Sequence, residues 1–215
     1  MREPTWTVVV PVKRLDAAKS RLRGALPGVP HDALALALAA DTVRAVRACP
    51  LVAEVLVVTA DPRAGAELAE LGARVVPDLP DAGLNAAFRH GAAAAAGTGV
   101  AGITADLPAL RPAELAQALA AAQAGPPGVR RFVADAPGTG TVLLAAPRGV
   151  PLDPHFGAGS AAAHAASGAL PLAGGWPSLR RDVDTAADLA AAARIGLGPA
   201  SAALVDAERA AGPTG

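Results

Sequence analysis

From residue 6 to residue 194, short apolar runs alternate with stretches of helical spacing, and that alternation leaves few folds open to the chain. Residues 6–12 are dominated by Val and Thr and read as a buried strand. Residues 32–49 follow, with Leu34, Leu38, Val43 and Val46 at helical spacing. The pattern then recurs. Strands are predicted over 54–59, 73–76, 100–104, 131–134 and 141–146, and helices over 61–72, 84–96, 112–123, 160–167 and 185–194. Helix ends carry their own signals. Asp61-Pro62 offers a carboxylate cap with proline at the first helical position, and Gly72 is a good terminator. Thr185 and Asp188 form a capping box, and Gly196 closes that helix. Residues 199–211 suit a last helix, with the final few frayed. Such alternation predicts one α/β domain over residues 1–215, a mostly parallel sheet with helices on both faces. Sheets of this kind bind ligands outside the carboxyl ends of their strands.

Composition narrows what the ligand can be. The chain is 52% apolar but only 2% aromatic, so alanine and small aliphatics fill the interior. Acids and bases balance at 19 each, which leaves no global field to attract nucleic acid or an acidic membrane surface. Any anion site is therefore local. Cys49 is the single cysteine, which excludes a disulfide framework and a cysteine metal cluster. The first residues lack a basic segment followed by a long apolar run, and no apolar run suits a bilayer span. The expectation is a soluble cytoplasmic protein; monomer and homodimer both stay open.

Several loops carry chemistry that a bland reading also explains. "VVVPVKRLDAAKSRL" (residues 8–22) places Lys13, Arg14, Lys19 and Arg21 just after the first strand. They form either a solvated loop or a clamp for phosphates. "ITADLPAL" (103–110) sets Asp106 at a strand's carboxyl end, as a metal ligand or as part of a turn approaching a helix. "RRDVDTAADL" (180–189) carries Asp182 and Asp184, which share one side if the segment is extended. They are a magnesium pair or two acids favoured by the positive end of the next helix. "ADAPGTGTVLL" (134–144) offers Thr139 and Thr141 between glycines, as a ligand-binding turn or a plain hairpin. "FGAGSAAAH" (156–164) puts Gly157, Gly159 and Ser160 at a helix start, as an anion cradle or as simple capping by Ser160. His155 and His164 read as surface or packing histidines. "GTGVAG" (97–102) matches a dinucleotide pattern but follows a helix and precedes a strand, the reverse of what pyrophosphate binding needs. The chain has no Ser/His/Asp set, no Cys/His pair, no phosphate loop and no H-E-x-x-H motif. Acids for a cation, bases for phosphates and glycine turns together suit phosphoryl or nucleotidyl transfer.

The order of "PVKRLDAAKSRL", "GLNAAFRHG", "ADLPAL", "GTGT", "FGAGS" and "DVDTAADL" resembles the 2-phospho-L-lactate guanylyltransferase family, over nearly the whole chain. Its actinobacterial branch uses phosphoenolpyruvate, and its members serve assembly of the deazaflavin coenzyme F420. The resemblance implies a Rossmann-like, GT-A-like nucleotidyltransferase fold. It also implies a magnesium-dependent transfer of GMP from GTP to phosphoenolpyruvate or 2-phospho-L-lactate, with pyrophosphate released. Carried over residue by residue, it assigns Lys13, Lys19 and Arg21 to the nucleotide phosphates, and Leu84 and Asn85 to the nucleoside. Asp106 and Asp184, with Asp182 as a partner, match the metal-binding acids; Lys19, Arg21 and Asp106 are the catalytic set. Thr141, with Thr139 as its neighbour in the turn, Gly157 and Ser160 match residues that hold the three-carbon acid. Residues 23–30 and 77–82 follow no pattern of the family. The other readings are a nucleotidyltransferase acting on molybdopterin or a sugar phosphate, and a non-catalytic nucleotide-binding regulator on the same fold.

Overall fold

The computed structural model describes residues 6–16, 20–79, 81–95 and 99–212. Lys19 and the last residues expected to fray lie outside them. One seven-stranded sheet organises the chain. Its strands are β1 (Trp6–Pro11), β2 (Val52–Thr59), β3 (Arg74–Pro77), β4 (Gly99–Ile103), β5 (Arg131–Ala134), β6 (Thr141–Ala146) and β7 (Leu170–Pro171), in the spatial order β3-β2-β1-β4-β6-β5-β7. β3, β2, β1 and β4 run parallel, and β5 pairs parallel with β7. β6 runs against both of its neighbours. Every residue of β1 is buried, as a strand covered on both faces requires.

The two faces are divided by strand alternation. Val8, Val10, Val55 and Val57 point to one side, into a core shared with α1 (His31–Arg47), α2 (Pro62–Glu70) and α4 (Pro112–Ala124). Val9, Leu56, Val58 and Leu144 point to the other, against Phe88 of α3 (Leu84–Ala93) and Phe156. The helix contact on this side is close: a Cβ on Gly102 would lie 2.8 Å from the Phe88 ring. Two short elements follow, α5 (Ser160–Ala166) and α6 (Pro177–Arg180). Helices α7 (Ala186–Ile195) and α8 (Pro199–Ala211) then form a third layer over the outer side of α1, where Leu34, Leu38, Leu189 and Val205 pack with Leu22 and Val183. Among the described residues no helix is long and apolar enough to cross a membrane.

The reversal of β6 has a direct consequence for chemistry. Ile103 of β4 pairs with Leu143 of β6, and the Thr104 N–H donates to the Val142 carbonyl at 3.1 Å. The start of β6 therefore lies beside the carboxyl end of β4. The Gly-Thr turn before β6 joins the same sheet edge as the loops after β1, β2 and β4.

Candidate active site

The loop after β1 is held by its neighbour rather than left to float. Val12 N–H donates to the Val58 carbonyl at 2.9 Å. Leu15 N–H donates to Asp61 Oδ2 at 3.0 Å, while Asp61 Oδ1 accepts from the N–H groups of Arg63 and Ala64 and so caps α2. Burial acts to raise the Asp61 pKa, but these three donors and the nearby Arg14 charge outweigh it and hold the carboxyl below its ordinary value. Arg14 pairs with Asp16 at 3.8 Å, and Arg23 donates to the Asp16 carbonyl at 3.0 Å. Lys13 and Arg21 are exposed, Arg21 in a 3-10 turn over Ser20–Leu22. A cleft of about 230 Å³ opens between the ends of β1, β2 and β3, lined by Lys13, Arg14, Ala60, Asp78, Gly83 and Leu84. Lys13 and Leu84, far apart in sequence, thus share one cavity. Asp78 was not a sequence candidate. Its Oδ1 is buried in that wall and has no hydrogen-bond partner among the described residues.

The acidic segment sits next to this cleft, at the end of β4. Three elements clamp its backbone. The Leu107 N–H donates to Thr42 Oγ1 of α1 at 2.9 Å, and the Asp106 carbonyl accepts from the Val183 N–H at 3.0 Å. The Pro108 carbonyl accepts from the Gly198 N–H at 2.7 Å, just ahead of α8. Val183 is fully buried between Asp182 and Asp184, so its anchoring brings both acids beside Asp106. Among the described residues no three His, Cys, Asp or Glu side chains converge into a metal-holding group. Asp106, Asp182 and Asp184 thus do not form such a three-residue group, and a cation here would take one or two of these carboxylates, with phosphates and water for the rest. Thr104 Oγ1, buried two residues ahead of Asp106 and without a hydrogen-bond partner among the described residues, adds a hard oxygen in need of company.

The Gly-Thr turn and the residues before α5 form a third group. The turn is a hairpin between β5 and β6, with Thr139 N–H donating to Asp135 Oδ1. The hairpin is also tied to α5, because the Ala161 N–H donates to the Thr139 carbonyl at 3.1 Å. At the start of α5 the backbone N–H groups are partly committed. Ser160 N–H donates to the Gly157 carbonyl, so two of the first N–H groups are already engaged. Ser160 is not the cap: Gly159, left-handed at φ 69°, occupies that position, and Ser160 is the first helical residue. Gly157 is exposed, at φ 136°. Asn85 clasps the same segment, donating to the Phe156 carbonyl at 2.9 Å and accepting from the Phe156 N–H at 2.7 Å. It stands between Leu84 in the cleft and the Gly157–Ser160 turn.

Of the two readings of His164, surface or packing, the structure bears out packing and adds hydrogen bonds to it. It is fully buried, its Nδ1 is 2.9 Å from Thr141 Oγ1, and its Nε2 accepts from the His155 N–H at 2.9 Å. Phe132 and Phe156 flank its ring. Burial first, and then the neighbouring His155, push its pKa down to about 4. No local sequence signal marks this residue, because each partner comes from a different part of the chain.

Residues 31–166 match the family model of the MobA-like NTP transferase domain. The chain is 73% identical to a phosphoenolpyruvate guanylyltransferase of Salinispora arenicola, over 93% of this chain and 92% of that protein. A phosphoenolpyruvate guanylyltransferase of Geodermatophilus obscurus is 57% identical, over 98% and 97%. Among solved structures, a nucleotidyl transferase from Methanothermobacter thermautotroptrophicus superposes with a TM-score of 0.63 at 22% identity, covering 89% of this chain and 97% of that one. This last likeness concerns the fold.

Proposed function

The chain belongs to the phosphoenolpyruvate guanylyltransferase family, within the MobA-like NTP transferases, and on that premise we propose that it transfers GMP from GTP to phosphoenolpyruvate with release of pyrophosphate. One observation carries the reading beyond the family name. A basic loop with a cleft, an acid pair beside Asp106, and a Thr/Gly/Ser group all meet at one sheet edge. Lys13 and Leu84 then line the GTP site, with Arg21 toward the triphosphate; Lys19, which the resemblance gives the same task, lies outside the described residues. Thr141, Gly157 and Ser160 hold the three-carbon acid, with Thr139 next to them in the turn. 2-Phospho-L-lactate is the acceptor to compare.

The nucleophile is an oxygen of the acceptor phosphate. It forms a bond to the α-phosphorus of GTP while the α–β bridging bond breaks, and that electron pair leaves on pyrophosphate. The acceptor oxygen is already ionised near neutral pH, so no general base is required. The site agrees: His164 is neutral there and both of its nitrogens are engaged. What the reaction needs is position and charge neutralisation. Asp106 with Asp184, and Asp182 alongside, would hold magnesium, which when bound offsets repulsion between the acceptor phosphate and the triphosphate. Asn85, tied to Phe156 and adjacent to Leu84, keeps the acid side in register with the nucleoside side. The product is a phosphoanhydride, a diphosphate that joins the enolpyruvyl group to guanosine, and such an activated linkage suits the assembly of coenzyme F420. A cytoplasmic setting fits the single, buried Cys49.

The test is direct. The purified protein is incubated with GTP, magnesium and either acid, and pyrophosphate and product mass are followed. The downstream transferase and its deazaflavin acceptor are added as a trap for an unstable product. Guanylylated phosphoenolpyruvate is expected; its absence with both acids, trapped or not, overturns the reading.

A further inference from the structure

The hydrogen bonds around His164 fix a proton whose position matters for the acid site. A backbone N–H can only donate, so the His155 N–H makes His164 Nε2 an acceptor. A neutral imidazole with Nε2 unprotonated carries its proton on Nδ1. His164 Nδ1–H therefore donates to Thr141 Oγ1 at 2.9 Å, and the Ser160 backbone also hydrogen-bonds the ring, which again favours a ring proton. With a lone pair so occupied, the Thr141 hydroxyl has its own proton left to direct elsewhere. Thr141 is buried, and its hydroxyl makes no other hydrogen bond among the described residues. That remaining proton has no acceptor among the described residues and can be offered to a ligand.

We propose that His164 is a positioning residue that turns the Thr141 hydroxyl into an obligatory donor toward an anionic oxygen of the three-carbon acid. This rests on the reading that Thr141 contacts the acid. The opposite tautomer would reverse the pattern. Thr141 would then donate to Nδ1 and present lone pairs to an anion, an arrangement that repels it. The surroundings hold the required state. Phe132 and Phe156 exclude water from the ring, and Phe88 stacks on Phe156 with ring centroids 4.2 Å apart. The His155 N–H is itself kept in place by its segment, where Asp153 pairs with Arg130 at 2.9 Å and with the His155 ring at 3.3 Å. Burial and the His155 ring also resist a second proton on His164, which would abolish the acceptor at Nε2.

Two measurements test this, one of them independent of turnover. Long-range proton–nitrogen NMR spectra of the histidine rings of the intact protein should show His164 as the Nδ1–H tautomer at pH 7. An Nε2–H or doubly protonated ring overturns the proposal. Steady-state kinetics supply the second. His164→Leu should raise the KM for phosphoenolpyruvate about 10- to 100-fold, as loss of a hydrogen bond to a charged group does, with the KM for GTP little changed. His164→Asn, whose amide can donate from the Nδ1 position, should recover much of that loss. Thr141→Val should match His164→Leu, and the double variant should be no worse than either alone. If Thr141→Val leaves the acid KM unchanged, the placement of the acid at Thr141 falls and this proposal with it. If Thr141→Val raises it while folded His164→Leu does not, only the positioning role falls.

Discussion

Two aspartates at strand ends show how different the work of one residue type can be. Asp106 serves the backbone clamp through its main-chain carbonyl, which accepts from Val183. The metal-ligand role expected of Asp106 falls instead to its carboxylate. Asp106→Asn should therefore keep the circular dichroism spectrum and melting temperature while kcat falls at least about 100-fold. Near-normal turnover would remove Asp106 from the metal site. Asp61 uses both oxygens structurally: Oδ1 caps α2 and Oδ2 holds Leu15. Asp61→Asn separates the two tasks, because an amide oxygen can still cap while the amide NH2 faces the Leu15 N–H. Helix stability should change by less than about 0.5 kcal/mol, since Asn and Asp cap equally well. The KM for GTP should rise as the basic loop loosens, and an unchanged value would show that Leu15 is held by other means. The cap was legible in Asp61-Pro62 because capping acts over a few residues. The hold on Leu15 was not, since its partner lies 46 positions away and nothing local requires it. Asp78 escaped notice, and the partners of His164 could not be read, for the same reason.

At the scale of elements, long periodic segments were legible and short ones were not. The capping box of α7 is formed as its residues predict, with Thr185 Oγ1 accepting from the Asp188 N–H and Asp188 accepting from the Thr185 N–H. β7, with 2 residues, and α6, with 4, are too short for any period to show. Strand direction is a deeper gap. Alternation reports burial, not which neighbour a strand meets: the Gly-Thr turn offered a hairpin between β5 and β6, but nothing in the sequence showed that β6 also runs against β4. Its reversal is what brings Thr141 to the ligand edge. α5 depends on that arrangement through His164, and this makes stability sensitive to pH. His155 and Asp153 from the preceding segment, Arg130 from the loop before β5 and the Thr141 hydroxyl face the ring. The folded protein holds the His164 pKa at about 4, against 6.5 for the ordinary group. Between those values the unfolded chain binds more protons, so stability is complete above pH 6.5 and is lost as pH falls toward 4. The loss is at most about 3 kcal/mol. Urea denaturation at pH 7 and pH 4.5 should reveal it, with a smaller difference in His164→Asn. Asp61 is depressed below its ordinary 3.8, so its own contribution is lost at lower pH and does not blur this window. Equal pH dependence in both proteins would assign the effect to other groups.

For the whole molecule, the sheet sets the edge and the outer layer steadies it. Leu22, beside Arg21, and Val183, between Asp182 and Asp184, belong to the apolar cluster that α7 and α8 form with Leu34 and Leu38 of α1. Two segments of the candidate site are thus anchored from the C-terminal layer. Helix 199–211 was legible from its spacing, but its attachment was not. The buried Asp41 carboxylate accepts from the Ala200 N–H at 2.9 Å and the Ser201 N–H at 2.7 Å, across 159 and 160 positions of sequence. Arg44 pairs with the same carboxylate at 3.2 Å. Asp41→Ala would leave those N–H groups without an acceptor in a buried place and Arg44 without its partner. A loss of about 3 kcal/mol in unfolding free energy is expected, within the range for breaking a buried charged contact. Asp41 touches neither the cleft nor the acid pair, so activity should decline only with the unfolded fraction, the reverse of Asp106→Asn. Denaturation curves and kcat measured on the same samples separate the cases. A fall in kcat larger than the unfolded fraction would mean that α8 sets the geometry of Asp106, through the Gly198–Pro108 bond, as well as its stability.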